Sequence, residues 1–131
     1  MLDETARVLP TLYDSFIANC WEQKDRILPL RMKTTDGLLW AKICALTPDL
    51  IYIDAGHDFI DVLSDLTQAH AMFPQARIVG DDFDWRDPTR PTHLNTVKLA
   101  VQYFAAIHNF QIRANRTGWT LEPKSAPVPA Q

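Results

Sequence analysis

A chain of 131 residues is long enough for one compact domain with a single core. Its 47 % hydrophobic and 22 % charged residues are typical of a globular protein, and its formal net charge of −3 comes without a run of Lys or Arg. The composition therefore argues against nucleic acid as a partner, because binding phosphates requires clustered positive charge. No stretch reaches the roughly 20 apolar residues of a membrane span. The acidic start has no signal-peptide pattern, so we expect a cytoplasmic protein without a membrane partner.

The first third of the chain contains two helical patterns and one short apolar run. Apolar side chains recur at helical spacing from Val8 to about Gln23. Thr34–Asp36 offers caps for a second helix, which we expect to reach Leu46. Between the two helices, the run Arg26–Met32 predicts a strand. Pro29 indicates an edge position for it, because proline has no N–H for a sheet hydrogen bond.

The middle of the chain alternates buried strands with helices. Asp49–Asp54 places four consecutive apolar residues between two acids, and Ala76–Gly80 is a second short apolar run. Continuous apolarity is typical of strands in a parallel sheet, which are buried on both faces. Helical patterns follow at Phe59–Phe73 and Leu94–Ala105. Asp65 falls outside the apolar stripe of the first of these helices, so we expect it in solvent.

The C-terminal part predicts an antiparallel hairpin followed by a tail. Phe110–Arg113 and Trp119–Leu121 alternate apolar and polar residues on either side of a turn. The polar segment Asp84–Pro91 predicts a loop. Residues 123–131 hold three prolines and no apolar periodicity, so we expect a disordered tail. The element order predicts one α/β domain over residues 1–122, with a parallel core, a C-terminal antiparallel hairpin and helices on both faces.

Acidic residues follow both predicted parallel strands. Asp54 and His57 come after the first strand, and Asp81 and Asp82 after the second. If the strands are neighbours, these side chains converge at one edge of the sheet, where open α/β sheets bind ligands. Carboxylates so close together repel unless a cation or protons intervene, and hard oxygen ligands point to Mg²⁺ or Ca²⁺. Such acids also serve as helix caps, as Asp58 would before the Phe59 helix, or remain solvated.

These residues also carry a resemblance. The segments Asp49-Leu-Ile-Tyr-Ile-Asp-Ala-Gly-His-Asp-Phe59 and Ala76-Arg-Ile-Val-Gly-Asp-Asp82, with Asp65 between them, resemble the pattern D-L-I-x-I-D-x-x-H-x-Y … D-L … G-G-x-I-V-x-D-D. The pattern belongs to a branch of class I S-adenosylmethionine-dependent methyltransferases that includes macrocin-type O-methyltransferases and cephalosporin-hydroxylase-like proteins. The resemblance covers roughly residues 10–122 and corresponds to the C-terminal half of that domain. It implies an incomplete Rossmann-like sheet.

The resemblance also implies roles for single residues. Asp54, Asp81 and Asp82 would hold a divalent ion such as Mg²⁺, and the ion would acidify the hydroxyl of a small-molecule acceptor. His57 would be the general base that takes the hydroxyl proton as the oxygen attacks the methyl group. Thr35, Asp36, Asp54 and Ala55 would contact S-adenosylmethionine, although Thr35 and Asp36 also suit helix capping.

One part of the family pattern has no counterpart here. The chain has four glycines, no two closer than 19 residues, so a glycine-rich first turn is missing. We therefore expect an O-methyltransferase-like protein that is incomplete as a single chain, with an exposed sheet edge that favours a homo-oligomer. The alternatives are a non-catalytic remnant or binding module that keeps the fold, and a metal-dependent phosphate hydrolase. The hydrolase ranks last because Arg86 is the only cation near the acids.

Overall fold

The computed structural model describes residues 4–86 and 94–124, with side chains from Thr11 onward. The chain forms two compact units, Met1–Lys33 and Thr34–Gln131. The predicted loop from residue 87 onward and the predicted tail from residue 125 lie outside the described residues. In the part of the chain that the structure covers, no helix is both long and apolar enough to cross a membrane.

The first unit contains helix α1 (Glu4–Asn19), a 3₁₀ turn (Trp21–Gln23) and a segment without regular structure. The strand predicted for Arg26–Met32 is not formed. Instead, the guanidinium of Arg31 lies over the ring of Tyr13 at 5.3 Å. Residues 29–32 and α1 together line an apolar cavity of about 650 Å³. Pro29 cannot donate to a sheet ladder, and side-chain contacts with α1 replace strand pairing for this segment.

The second unit begins with helix α2 (Thr34–Ile43), which ends earlier than Leu46. The last turn closes with two backbone bonds, from the Leu46 N–H to the Ala41 carbonyl and from the Ala45 N–H to the Lys42 carbonyl. Ala45 adopts a positive φ of 55°. This is the Schellman arrangement, in which the residue after the helix takes the left-handed conformation and satisfies the last carbonyls.

The remaining elements alternate as the sequence predicts. Strand β1 (Leu50–Ile53) is followed by helix α3 (Phe59–Met72), strand β2 (Arg77–Gly80) and helix α4 (Thr96–Ile107). Strands β3 (Phe110–Asn115) and β4 (Gly118–Pro123) then form the predicted hairpin. The strand order is β1-β2-β4-β3, with β1 parallel to β2 and the other two pairs antiparallel. The unit is therefore a mixed α/β structure with an open, mixed four-stranded sheet.

One face of this sheet carries the core. Inward residues of the strands pack with α3 and α4 around Leu66, Val101 and Phe104, which are almost fully buried, and Leu38 of α2 joins them. On the opposite face, Leu50 and Tyr52 remain more than half exposed. The prediction of helices on both faces is not met among the described residues of this unit. The two connections that contain α3 and α4, from β1 to β2 and from β2 to β3, run in the same direction across the sheet. Connections between parallel strands are right-handed as a rule, and two that run in one direction place their helices on the same face.

Asp65 on α3 corrects another expectation, because its side chain is buried and not in solvent. The Thr34 hydroxyl at the start of α2 donates a hydrogen bond to its carboxylate. Burial, assisted by the nearby charge of Asp61, raises the pKa of Asp65 despite this bond. The reason for the error is α2, which packs along α3 and covers a face that the helical pattern of α3 alone leaves to solvent.

Candidate functional site

The site is built where the two parallel strands end. Ile53, the last residue of β1, lies opposite Gly80, the last residue of β2. The loops that follow therefore start side by side, and the Asp81 N–H donates to the Ile53 carbonyl at 3.3 Å. This register brings the residues after the two strands to one edge of the sheet, as the sequence predicts.

His57 and Asp82 form the closest side-chain contact at this edge. The His57 Nε2 lies 2.6 Å from the Asp82 Oδ2, and both side chains are about one third exposed, at 38 % and 30 %. An ionised carboxylate can only accept hydrogen bonds, so Nε2 is the donor and carries the proton. In the neutral imidazole the free lone pair is then on Nδ1. The carboxylate thus fixes which ring nitrogen is available as a base.

Trp85 stacks on one face of the His57 imidazole, whose edge is in contact with Asp82. The ring centroids of His57 and Trp85 are 4.5 Å apart, with 30° between their planes. The backbone N–H of Trp85 donates to the backbone carbonyl of Asp82 at 3.0 Å, which closes a tight turn over residues 82–85. The imidazole is therefore held by a carboxylate and an indole that come from the same short turn.

The start of α4 anchors both loops. The Thr96 hydroxyl donates to the His57 carbonyl, and the Asn95 amide donates to the Phe83 carbonyl. The Asn95 side chain also caps α4 by accepting from the Lys98 N–H at 2.9 Å. The same helix end thereby fixes the loop that carries His57 and the loop that carries Asp82.

Asp81 faces a different set of partners from Asp82. Its carboxylate accepts hydrogen bonds from the Thr117 hydroxyl, the Asp82 N–H and the Tyr52 hydroxyl, and these bonds lower the pKa of Asp81, with Thr117 the largest cause. Tyr52 lies on the sheet face opposite the core. Partial desolvation raises the pKa of Tyr52, and the negative charges of Asp81 and Asp54 raise it further. The two neighbouring carboxylates are therefore engaged in separate hydrogen-bond networks.

Gly80 makes room for a tryptophan beneath these loops. A Cβ at this position would lie 2.3 Å from the Trp119 indole and 2.6 Å from the Ile53 carbonyl oxygen. The indole Nε1 donates to the Asp81 carbonyl at 2.8 Å, and Trp119 is buried. Glycine is needed here because the indole and the β1 backbone approach this position so closely.

The structure brings five of the predicted site residues together and separates two. Asp54, Ala55, His57, Asp81 and Asp82 line one small depression, whose cavity of about 10 Å³ is the size that one water molecule occupies. Thr35 and Asp36 follow Thr34 in the first turn of α2, and it is the Thr34 hydroxyl that is bonded to Asp65. Asp65 is seven residues along α3 from Asp58, which is about 10 Å at the rise of an α-helix. Neither Thr35 nor Asp36 lines the depression.

The predicted metal ligands do not form a cluster of donors. Within residues 4–86 and 94–124, no group of three or more His, Cys, Asp or Glu side chains is arranged to hold an ion. The carboxylate of Asp82 contacts His57, while that of Asp81 accepts from the hydroxyls of Thr117, in the β3–β4 turn, and Tyr52, on the sheet face opposite the core. These donor directions do not fit the predicted Mg²⁺ site.

Comparison with models of known protein families finds no match for this chain. Comparisons with curated proteins and with solved structures find none either. The resemblance to methyltransferases therefore depends on the sequence motif alone.

Several residues that build the site have weak or no signals in the sequence. Asn95 directly precedes α4 and is a residue type that favours the N-cap, but the predicted helical pattern begins one residue earlier, at Leu94. Thr117 and Trp119 are more than 30 residues from the acidic pair that they contact, and no local pattern links them. Only the pairing of β4 with β2 places them there.

Proposed function

We propose that this chain supplies the base-bearing part of a methyltransferase-like site that transfers a methyl group from S-adenosylmethionine to the hydroxyl of a small molecule. The observation that carries the proposal is the 2.6 Å contact between His57 and Asp82 at the carboxyl ends of two parallel strands. A histidine oriented by a carboxylate is a common arrangement for general-base catalysis. The motif around the two residues supports the type of reaction.

His57 is the general base in this proposal. Its Nε2 remains bonded to Asp82, and its Nδ1 takes the proton of the acceptor hydroxyl. Asp82 stabilises the positive charge that the ring gains, because the contact becomes a charge-assisted hydrogen bond. Trp85 restricts the rotation of the ring by stacking on it. The chemistry that S-adenosylmethionine supplies when bound is an electrophilic methyl group on a sulfonium.

Asp54 and Ala55 are the two residues through which the depression would contact the cofactor. Both follow β1 directly, at the position where ligands meet open α/β sheets. Asp54 is exposed and is close enough to Tyr52 to affect the pKa of that phenol, so it adds negative charge to this edge. A carboxylate can accept hydrogen bonds from the hydroxyl groups of a ribose or from an ammonium group.

Calorimetric titration with S-adenosylmethionine, with and without Mg²⁺, tests the proposal. We expect binding that weakens in Asp54→Ala and is within about twofold of wild type in His57→Gln. Release of S-adenosylhomocysteine in the presence of a panel of small phenols and alcohols should fall by about 10²–10⁴-fold in His57→Gln, the usual contribution of a general base. Absence of cofactor binding under every condition would contradict the proposal.

A non-catalytic binding module is the second candidate. It is favoured by the separation of Thr35 and Asp36 from the depression and by the lack of a metal-binding group among the described residues. In that case the chain would bind the cofactor or its demethylated product without turnover. Binding that is unchanged in His57→Gln, together with no release of S-adenosylhomocysteine with any acceptor, would identify this candidate.

A further inference from the structure

The backbone at Asp82 adopts a conformation that few residues accept. Its φ of 59° lies in the left-handed region, which asparagine and aspartate tolerate better than other non-glycine residues. The following Phe83 N–H donates to the Thr117 carbonyl at 2.7 Å, and the Trp85 N–H donates to the Asp82 carbonyl. The direction of the Asp82 side chain toward His57 therefore depends on a strained backbone that neighbouring groups must hold.

The Asp81 carboxylate is the group that joins these neighbours. Its Oδ1 accepts from the Asp82 N–H at 2.9 Å, which is the amide of the strained residue itself. The same carboxylate accepts from the hydroxyls of Thr117, in the β3–β4 turn, and Tyr52, on β1. Its backbone is also fixed, because Trp119 donates to its carbonyl at 2.8 Å and its own N–H is bonded to Ile53.

We propose that Asp81 is a positioning residue and not a metal ligand: it connects the β3–β4 turn to the left-handed residue Asp82 and thereby keeps the Asp82 carboxylate on His57. The proposal rests on the proposed function for the importance of the His57–Asp82 pair. The positioning itself is independent of methyl transfer and of any cofactor. Asp81 then acts on the base through Asp82 and touches neither the base nor a substrate.

The geometry also explains why two adjacent acids are needed. Asp82 must present its carboxylate to the imidazole, so it cannot also satisfy its own amide. Asp81 satisfies that amide and turns away from the imidazole toward Thr117 and Tyr52. Glutamate or alanine at position 81 would not reproduce this, because the bond from the Asp82 N–H requires an acceptor one methylene from the backbone.

Nuclear magnetic resonance of the imidazole tests the proposal in the full chain. Trp85 stacks on His57, so its ring current changes the chemical shifts of the ring C–H protons of His57. The variant Trp85→Ala gives the chemical shifts without stacking. Asp82→Ala gives the value without the carboxylate. We expect Asp81→Ala to move the chemical shifts of the His57 ring protons toward these reference values. The through-space signals between the rings of His57 and Trp85 should be lost. Asp81→Asn, which keeps an acceptor oxygen in the same place, should retain the wild-type signals.

Thr117→Val provides a second variant if Asp81→Ala does not fold. It removes one hydroxyl from an exposed turn residue and keeps the shape of the side chain. We expect the chemical shifts of the His57 ring protons to move part of the way in the same direction. Wild-type signals in both Asp81→Ala and Thr117→Val would overturn the proposal.

Titration with Mn²⁺ distinguishes positioning from metal binding. If Asp81 were a ligand, Mn²⁺ would broaden the signals of residues 81–83 in the wild-type chain and would fail to do so in Asp81→Asn; that result would overturn the proposal. We expect no such difference. A chain that retains these imidazole signals but releases no S-adenosylhomocysteine would contradict the proposed function alone.

Discussion

Replacing Gly80 by alanine tests how closely β2 is packed between β1 and Trp119. The new Cβ would lie 2.3 Å from the Trp119 indole and 2.6 Å from the Ile53 carbonyl oxygen, closer than a Cβ can approach. The carbonyl belongs to the sheet and already accepts from the Asp81 N–H, so it cannot move without lengthening that bond. The indole must shift instead, and its hydrogen bond to the Asp81 carbonyl is then lost.

The expected destabilisation is the sum of three effects. Overpacking in a close-packed region costs about 1–3 kcal/mol. Loss of the Trp119 hydrogen bond adds about 1 kcal/mol. Alanine reduces the conformational freedom of the unfolded chain, which offsets about 0.4–1 kcal/mol. We therefore expect Gly80→Ala to lower the free energy of unfolding by about 1–3.5 kcal/mol.

Urea unfolding followed by far-ultraviolet circular dichroism measures this difference, and Gly118→Ala is the matched control. The nearest atoms to a Cβ at Gly118 are 3.9 Å away, so this variant gains the effect on the unfolded chain without a clash. We expect Gly118→Ala to be as stable as the wild type or more stable by up to about 1 kcal/mol. Equal unfolding midpoints for the two variants would refute the packing at Gly80.

Three further outcomes follow from other parts of the second unit. Ala45→Gly should raise the free energy of unfolding by about 0.5–1 kcal/mol in urea, because Ala45 has a positive φ that glycine adopts without a clash; an unchanged or lower value would contradict this conformation. Burial raises the pKa of Asp65 above its unfolded value, so ionisation opposes folding and the wild type loses stability as pH rises through the folded pKa. Asp65→Asn should therefore be more stable than wild type at pH 7, with an advantage that shrinks toward pH 4; a constant difference would exclude this cause. Burial, and to a smaller extent the neighbouring His108, lowers the pKa of His70 below its unfolded value. Protonation of His70 therefore opposes folding, and the wild type should lose stability as pH falls below about 6.5. His108→Gln should raise the pKa of His70 in a titration followed by nuclear magnetic resonance, and an unchanged pKa would contradict the role of His108.

The parts of the fold that the sequence predicts well are those with local signals. The continuous apolar runs that became β1 and β2, the periodic patterns of α3 and α4 and the turn of the C-terminal hairpin all correspond to elements of the structure. The acids after the two strands meet at one edge because parallel neighbours end together. His57 and Asp82 could be placed at that edge from the sequence, although their direct contact could not.

The errors concern interactions between distant segments. Arg26–Met32 has the composition of a strand, but a strand also needs a partner, and this segment packs along α1 instead. Asp65 lies off the apolar stripe of its own helix and is buried by a different one. The directions of Asp81 and Asp82 depend on a left-handed φ and on Thr117, neither of which a one-dimensional pattern encodes.

We expect the β3–β4 hairpin and α4 to determine when the site assembles during folding. Phe83 and Asp81, the neighbours of Asp82, are both bonded to Thr117, which lies 35 residues after Asp82. The carbonyl of His57 is bonded to Thr96, 39 residues later. Closing such long loops is slow compared with forming the local helices. We therefore expect the imidazole–carboxylate pair to be one of the last features to form, although both its residues belong to the middle of the chain. Signals from His57 would report that the C-terminal hairpin has joined the sheet.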